Sequence, residues 1–192
     1  MRKTMFSFGV LVMLFAFSTQ ATDAPTGVGV GNYVSAAEVK DVLTKVNLNK
    51  ISDTVTRMID GGNANVGVAV LHRPKSPKGQ AGPPMLHSSL IEIYYVVEGR
   101  MVMVTGGKLL NPKPVAGPNL ERNSLGPSTT GTGGDPTGGQ TVTMGPGDIM
   151  FVPAGTVHYI DEIMEPVTIL DYRIDASKQN TLHAGPSPVF TP

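Results

Sequence analysis

The sequence predicts an all-β fold: one β-barrel carrying a single N-terminal amphipathic helix. Three observations predict it. The 192 residues include 23 glycines and 16 prolines but only 16% charged side chains, a balance that suits short strands joined by many tight turns. Segments rich in β-branched and aromatic residues recur between residues 51 and 175 and alternate apolar with polar positions. Helical periodicity appears in one place, just after Ser35. The chain has no cysteine, so no disulfide framework supports it. A length of this order buries one core without such staples.

Residues 1–21 read as a secretory signal peptide. Arg2 and Lys3 form a basic start, Met5 to Phe17 is an apolar run, and Thr19 and Ala21 suit the small-residue positions before a cleavage site. The run is short for a membrane-spanning helix, which needs about 20 residues. The expected location is therefore secreted or periplasmic, with no stable membrane insertion after cleavage. Without Arg2 and Lys3 the chain carries 13 basic and 15 acidic side chains. No basic patch remains to argue for nucleic acid.

Residues 22–34 are Gly-rich and aperiodic and read as a flexible leader. Ser35-Ala36-Ala37-Glu38 is a capping box, in which Ser35 takes an orphan N–H and Glu38 reaches back. Val39, Val42, Leu43 and Val46 follow as one apolar stripe. This places a helix within 35–50, lying across the outside of the barrel. Residues 54–73 read as a hairpin turning at Gly61-Gly62-Asn63. Gly99-Arg100 reads as a tight turn joining strands 90–98 and 101–105. Residues 107–141 are rich in Gly, Pro and Thr, and read as a surface insertion or as a lid over the barrel mouth. Strands over 142–144 and 167–175 complete the barrel at 51–175. The Pro-rich tail 176–192 is expected to be extended and peripheral.

Two stretches carry the chemistry, Gly79–Gly99 and Gly147–His158, read as two hairpins of the barrel. The first contains His87 and Glu92, which would fall on opposite faces of a straight strand. A bend at Ser88-Ser89 would reset the phase. Glu92, Tyr94 and Val96 then face inward with His87, while Ile91, Ile93, Tyr95 and Val97 form an outer apolar row that needs a covering surface. The second stretch supplies His158. Two histidines and one carboxylate on inward positions suit divalent iron, manganese, zinc or nickel with sites left open. A histidine taken singly is more often a hydrogen-bonded structural residue.

The spacings resemble the motifs of the cupin superfamily, whose first is G-x5-H-x-H-x3 or x4-E-x6-G and whose second is G-x5-P-x-G-x2-H-x3-N. Here they run Gly79, Met85, His87, Glu92, Gly99 and Gly147, Pro153, Gly155, His158. The resemblance implies a double-stranded β-helix (a jelly-roll barrel), often dimeric, with a metal held inside by the motif histidines and glutamate. Two positions depart from the pattern. Met85 stands where a first histidine belongs and reads as apolar lining, because a thioether is a soft ligand. Glu162 stands at the final Asn position.

The expected metal set is thus His87, Glu92 and His158. The same residues also admit a decayed site without metal. Tyr94 is the candidate acid or base, with a barrel-lining aromatic as the plainer alternative. His72 would substitute for the missing ligand if its strand turned Val68 and Val70 inward, and is otherwise a rim residue. His183 is expected to be solvated. The expected function is that of an exported metal-binding cupin acting on a small oxygen-containing molecule, as a dioxygenase or as an isomerase or lyase. The alternative is a non-catalytic barrel that binds a small ligand or a metal. The expected partners are that small molecule and, through the outer apolar row, a second copy of the chain.

Overall fold

A computed structural model describes residues 31–115, 124–135, 138–183 and 185–186. The expected signal peptide, nearly all of the leader, part of the 107–141 stretch and the end of the tail lie outside these residues. Among the described residues no helix is long and apolar enough to cross a membrane.

The helix α1 spans Ala36–Lys45, and the Ser35 hydroxyl accepts the Glu38 backbone N–H at 3.1 Å. The reciprocal half of the expected capping box is absent. Glu38 instead receives both Nη atoms of Arg57, a forked ion pair that ties the helix to the sheet. Val42 and Val46 are buried, with Val39 and Leu43 half-buried, so the expected stripe does face inward.

Strands β1 (Ser52–Asp60) and β2 (Asn65–Arg73) form the expected antiparallel hairpin, with a register shift between Val55 and Arg57. There follow β3 (Met85–His87), β4 (Leu90–Thr105), β5 (Lys108–Leu110), β6 (Lys113–Pro114) and β7 (Ser128–Thr130). The chain continues through β8 (Gly133–Asp135), β9 (Gln140–Met144), β10 (Ile149–Val152) and β11 (His158–Asp175). The main sheet has nine strands, with β11 flanked by β2, β3 and β4 and with β9 and β10 both on β4. Strands β5 and β8 pair separately.

Three sequence expectations need correction. Gly99-Arg100 is not a hairpin turn. Strand β4 runs through it, and both of its halves pair with β11, from His158 opposite Thr105 to Asp175 opposite Leu90. The two motif stretches are not hairpins either. Strand β3 pairs with β11 and β7, and β10 pairs with β4. Non-local pairing won because a barrel of this kind interleaves its strands. Finally, the 107–141 stretch is no loose insertion where it is described, since it supplies β5 to β8 and the start of β9.

At Gly99 the backbone adopts φ +83°, and a Cβ there would lie 2.0 Å from the Pro166 carbonyl oxygen. The β4–β11 ribbon shifts register at this point, between Ile163 and Thr168. The bend splits the ribbon into two halves around a core that includes Val55, Met58, Leu71, Val96, Met101 and Ile169. Ile91, Ile93 and Tyr95 point outward as expected and are half-buried, while Val97 on the same strand, Ile149 and Phe151 on β10 and Tyr172 on β11 are exposed.

The interior also holds charge. Arg173 is 1% exposed and donates from Nε to Asp171 at 2.7 Å and from Nη2 to Asp53 at 2.9 Å. Burial pushes the Asp171 carboxyl up; Arg173 opposes that, and Glu92 and Asp53 reinforce it.

Two outcomes follow for denaturant unfolding. Gly99→Ala should lose at least about 2 kcal/mol, because strain and a backbone clash coincide, whereas Gly155→Ala, with nothing within 4 Å of its Cβ position, should lose clearly less. Equal losses would show that the Pro166 approach is not the constraint. Arg173→Met should lose about 3–5 kcal/mol, since it strands two buried carboxylates; a loss under about 1 kcal/mol would show the network to be dispensable.

Candidate metal centre

Strand β3 delivers His87, the start of β4 delivers Glu92, and the start of β11 delivers His158. The chain bends at Ser88 and Ser89 between β3 and β4, which resets the strand phase as expected. His87, Glu92 and Tyr94 therefore all face inward. His87 is 2% exposed, Glu92 1% and His158 4%. His158 Nε2 lies 3.1 Å and His87 Nε2 3.6 Å from the same oxygen, Glu92 Oε2. Each of the three residues offers one ligand atom, and these atoms lie within 4.8 Å of one another. The two imidazole rings sit 5.2 Å apart, centre to centre.

The far side of each ring is already committed. His87 Nδ1 lies 2.6 Å from the Ser128 hydroxyl, which itself donates to the Gly126 carbonyl at 3.0 Å. With its proton so used, Ser128 accepts, and His87 carries its proton on Nδ1. His158 Nδ1 lies 3.0 Å from the Thr156 carbonyl and can only donate to it. Both rings thus turn Nε2 toward Glu92. Glu92 Oε2 has no hydrogen-bond partner, although it is buried. Two imidazole lone pairs facing one buried carboxylate oxygen repel unless a cation lies among them, and that cation is a proton or a metal ion.

The charge states agree with this geometry. Burial lowers the His87 pKa to about 4, although Glu92 pulls the other way. Burial also opposes charge on His158, but the field of the Glu92 carboxylate 3.1 Å away outweighs that and raises the pKa. Burial pushes Glu92 up, yet His87, His158 and Arg173 together hold it well below the ordinary carboxylate range. Arg173 lies directly opposite Glu92 across the β4–β11 ladder. The three ligands thus fit a divalent cation in composition, in convergence and in the unpartnered oxygen.

Tyr94 donates from its phenol to Glu92 Oε1 at 3.2 Å. Burial, with Glu92 adding to it, raises its pKa well above the ordinary phenol value, so the phenol keeps its proton. Tyr94 and His158 line a cavity of about 200 Å³, together with Met85, Arg73 and Tyr159. Met85 is thus lining, as expected. A hollow of about 320 Å³ on the outer face, against Val39, Arg57 and Tyr172, shares no lining residue with it.

Other expectations shift. Strand β2 turns Ala69 and Leu71 into the core cluster that holds Tyr94 and Val96, while Val70 is buried on the other row, so His72 faces away from the centre. Its Nε2 meets the Leu48 carbonyl at 3.0 Å. His183 is half-buried rather than solvated, and its backbone pairs with Met58. The tail is correspondingly less peripheral than expected where it is described, with Asn180 buried against Asn65. Sequence reasoning missed Ser128, Arg73 and Arg173. Ser128 had no signal, being one of many small polar residues in a low-complexity run. Arg73 and Arg173 were readable only from strand parity.

No protein-family model matches the chain, and no curated protein matches it. Among solved structures, similarity extends to a Bacillus halodurans protein at 16% identity and a TM-score of 0.44, covering 81% of this chain and 91% of that one. It extends also to the cupin domain of Schizosaccharomyces pombe Cnp3, at 14% identity and 0.40, covering 69% and 66%. A Thermus thermophilus protein is similar at 18% identity and 0.41, covering 72% and 97%. The two motif spacings resemble those of the cupin superfamily, and the antiparallel pairing of β3, β4, β10 and β11 with the His87–Glu92–His158 cluster is the arrangement that this resemblance implies.

Proposed function

We propose that this protein is an exported metalloprotein that holds one divalent cation at His87, Glu92 and His158 and acts on a small oxygen-containing molecule. The observation that carries this is the approach of both Nε2 atoms to the unpartnered Glu92 Oε2. The signal-like residues 1–21 support export. Such a cation supplies Lewis-acid polarisation of a substrate carbonyl or hydroxyl.

The residues around the site favour isomerase or lyase chemistry. Tyr94 lines the cavity with a phenol that stays protonated, so it offers a proton to a substrate oxygen. Its bond to Glu92 Oε1 also fixes the carboxylate that faces the histidines. Ser128 and the Thr156 carbonyl hold the two rings in the tautomer that a metal requires. Apolar walls from Leu71, Met103 and Ile160 exclude water and strengthen every charge inside. The two-histidine, one-carboxylate composition favours the second reading, a dioxygenase.

Metal analysis of untagged protein tests the centre. Wild type should carry about one divalent ion per chain, and His87→Ala and His158→Ala should each abolish it. Unchanged metal content in both variants would end the proposal. Ser128→Ala should keep the ion but weaken its affinity by about 10–100-fold, as loss of a ligand-orienting partner does.

Turnover separates the reaction classes. Across aldehyde, diketone, phenolic and uronate substrates, Tyr94→Phe should retain metal and lose about 10²–10⁴-fold in rate. Oxygen consumption that survives Tyr94→Phe would favour the dioxygenase. Bound metal without turnover on any of these substrates would leave the non-catalytic binding protein.

A further inference from the structure

Arg73 is the last residue of β2 and shares its inward row with Ala69 and Leu71. It lines the cavity beside Tyr94 and His158. Its Nη1 donates to the carbonyls of Ser52 at 2.5 Å and His72 at 3.0 Å. Those bonds fix the guanidinium without neutralising it. Among the described residues the buried arginine–carboxylate pairs belong to Arg173, and none places a carboxylate on Arg73. Asp53 and Asp171 reach it only through their fields, and burial, the largest influence, lowers its pKa. Among the described residues no acidic side chain lines the cavity. A pre-oriented guanidinium with unspent donors, in an apolar chamber next to a cation site, lacks an anionic partner.

We infer that the cavity takes a small carboxylate with a short apolar body, whose carboxylate is received by Arg73 and whose apolar part lies on Leu71, Ala81, Met103 and Ile160. The inference deepens the reading of the metal centre given above and rests on it, because the same chamber opens on His158 and Tyr94. The volume of about 200 Å³ is below that of drug-sized pockets. It suits an acid of a few carbons or a single ring. Arg73 is a binding residue that sets which substrates enter and how they lie, so that the other end of the molecule meets the metal side of the chamber.

Calorimetric titration tests this, with butyrate and benzoate as probes and butyramide and benzamide as uncharged counterparts. Zinc-loaded and EDTA-treated protein are titrated in parallel. Wild type should prefer each acid over its amide by at least about tenfold, the scale of one charged hydrogen-bonded contact. Arg73→Met should abolish that preference while zinc content and the unfolding midpoint stay near wild type. Arg73→Lys should keep part of it, and decides the matter if Arg73→Met does not fold. Equal binding of acids and amides, no binding of either acid, or a preference that survives Arg73→Met would overturn the inference. Zinc bound normally without acid preference removes the carboxylate site and leaves the metal centre. Acid preference in EDTA-treated protein that never takes up zinc does the reverse.

Discussion

The bend in the β4–β11 ribbon is the constraint on which the site depends. These strands pair along almost their whole length, with Glu92 opposite Arg173 and His158 opposite Thr105. In a straight ribbon that register would hold Glu92 and His158 roughly 40 Å apart, at about 3.3 Å per residue. They are 3.1 Å apart. The ribbon therefore folds over on itself, and it does so where Gly99 lets the Pro166 carbonyl approach with no Cβ in the way. The first half carries Glu92 and Tyr94, and the second carries His158. The glycine that ends the first motif spacing is thus as much a condition for the His87–Glu92–His158 cluster as its three residues, although it touches none of them.

Closing the ribbon buries charge, and the interior has to balance it. Glu92, Asp53 and Asp171 lie inside with Arg173 and the two histidines. A lone carboxylate there would take up a proton, because burial favours the neutral acid. Glu92 does the opposite, since His87, His158 and Arg173 surround it. The charged carboxylate is therefore a property of the cluster. It also explains how the site keeps a hard donor set despite Met85. Two nitrogens and one anionic oxygen converge without help from the thioether, and Met85 remains part of the wall.

Much of this was legible in the sequence. The motif spacings located His87, Glu92 and His158, and alternation gave the inward set of Glu92, Tyr94 and Val96 once the Ser88-Ser89 bend was allowed for. What was not legible was pairing. Local reading makes hairpins of neighbours, so Gly99-Arg100 looked like a turn and both motifs looked self-paired. The true partners are tens of residues away, and no local preference encodes them. Parity on β2 had the same weakness. His72 drew notice for its chemistry, whereas the register puts its neighbour Arg73 in the chamber. Glu38 shows a local signal overridden, since a buried-edge partner, Arg57, outcompeted the helix's own N–H.

Ser128 carries the last step of that reasoning. It belongs to the run GPSTTGTGGDPTGG, whose composition reads as a loop. The run nevertheless contains β7, which pairs with β3 and sets Ser128 opposite His87. Threonine and serine are adequate strand formers when a neighbouring strand supplies the hydrogen bonds, and a short polar strand suits an exposed border. The pairing delivers the hydroxyl that accepts the His87 Nδ1 proton and so leaves Nε2 free for a metal. A deletion that trims this segment as dispensable would keep every ligand and still disorder one of them. The tautomer of a buried histidine is set by what lies behind it, and here that is a strand whose composition suggests no strand at all.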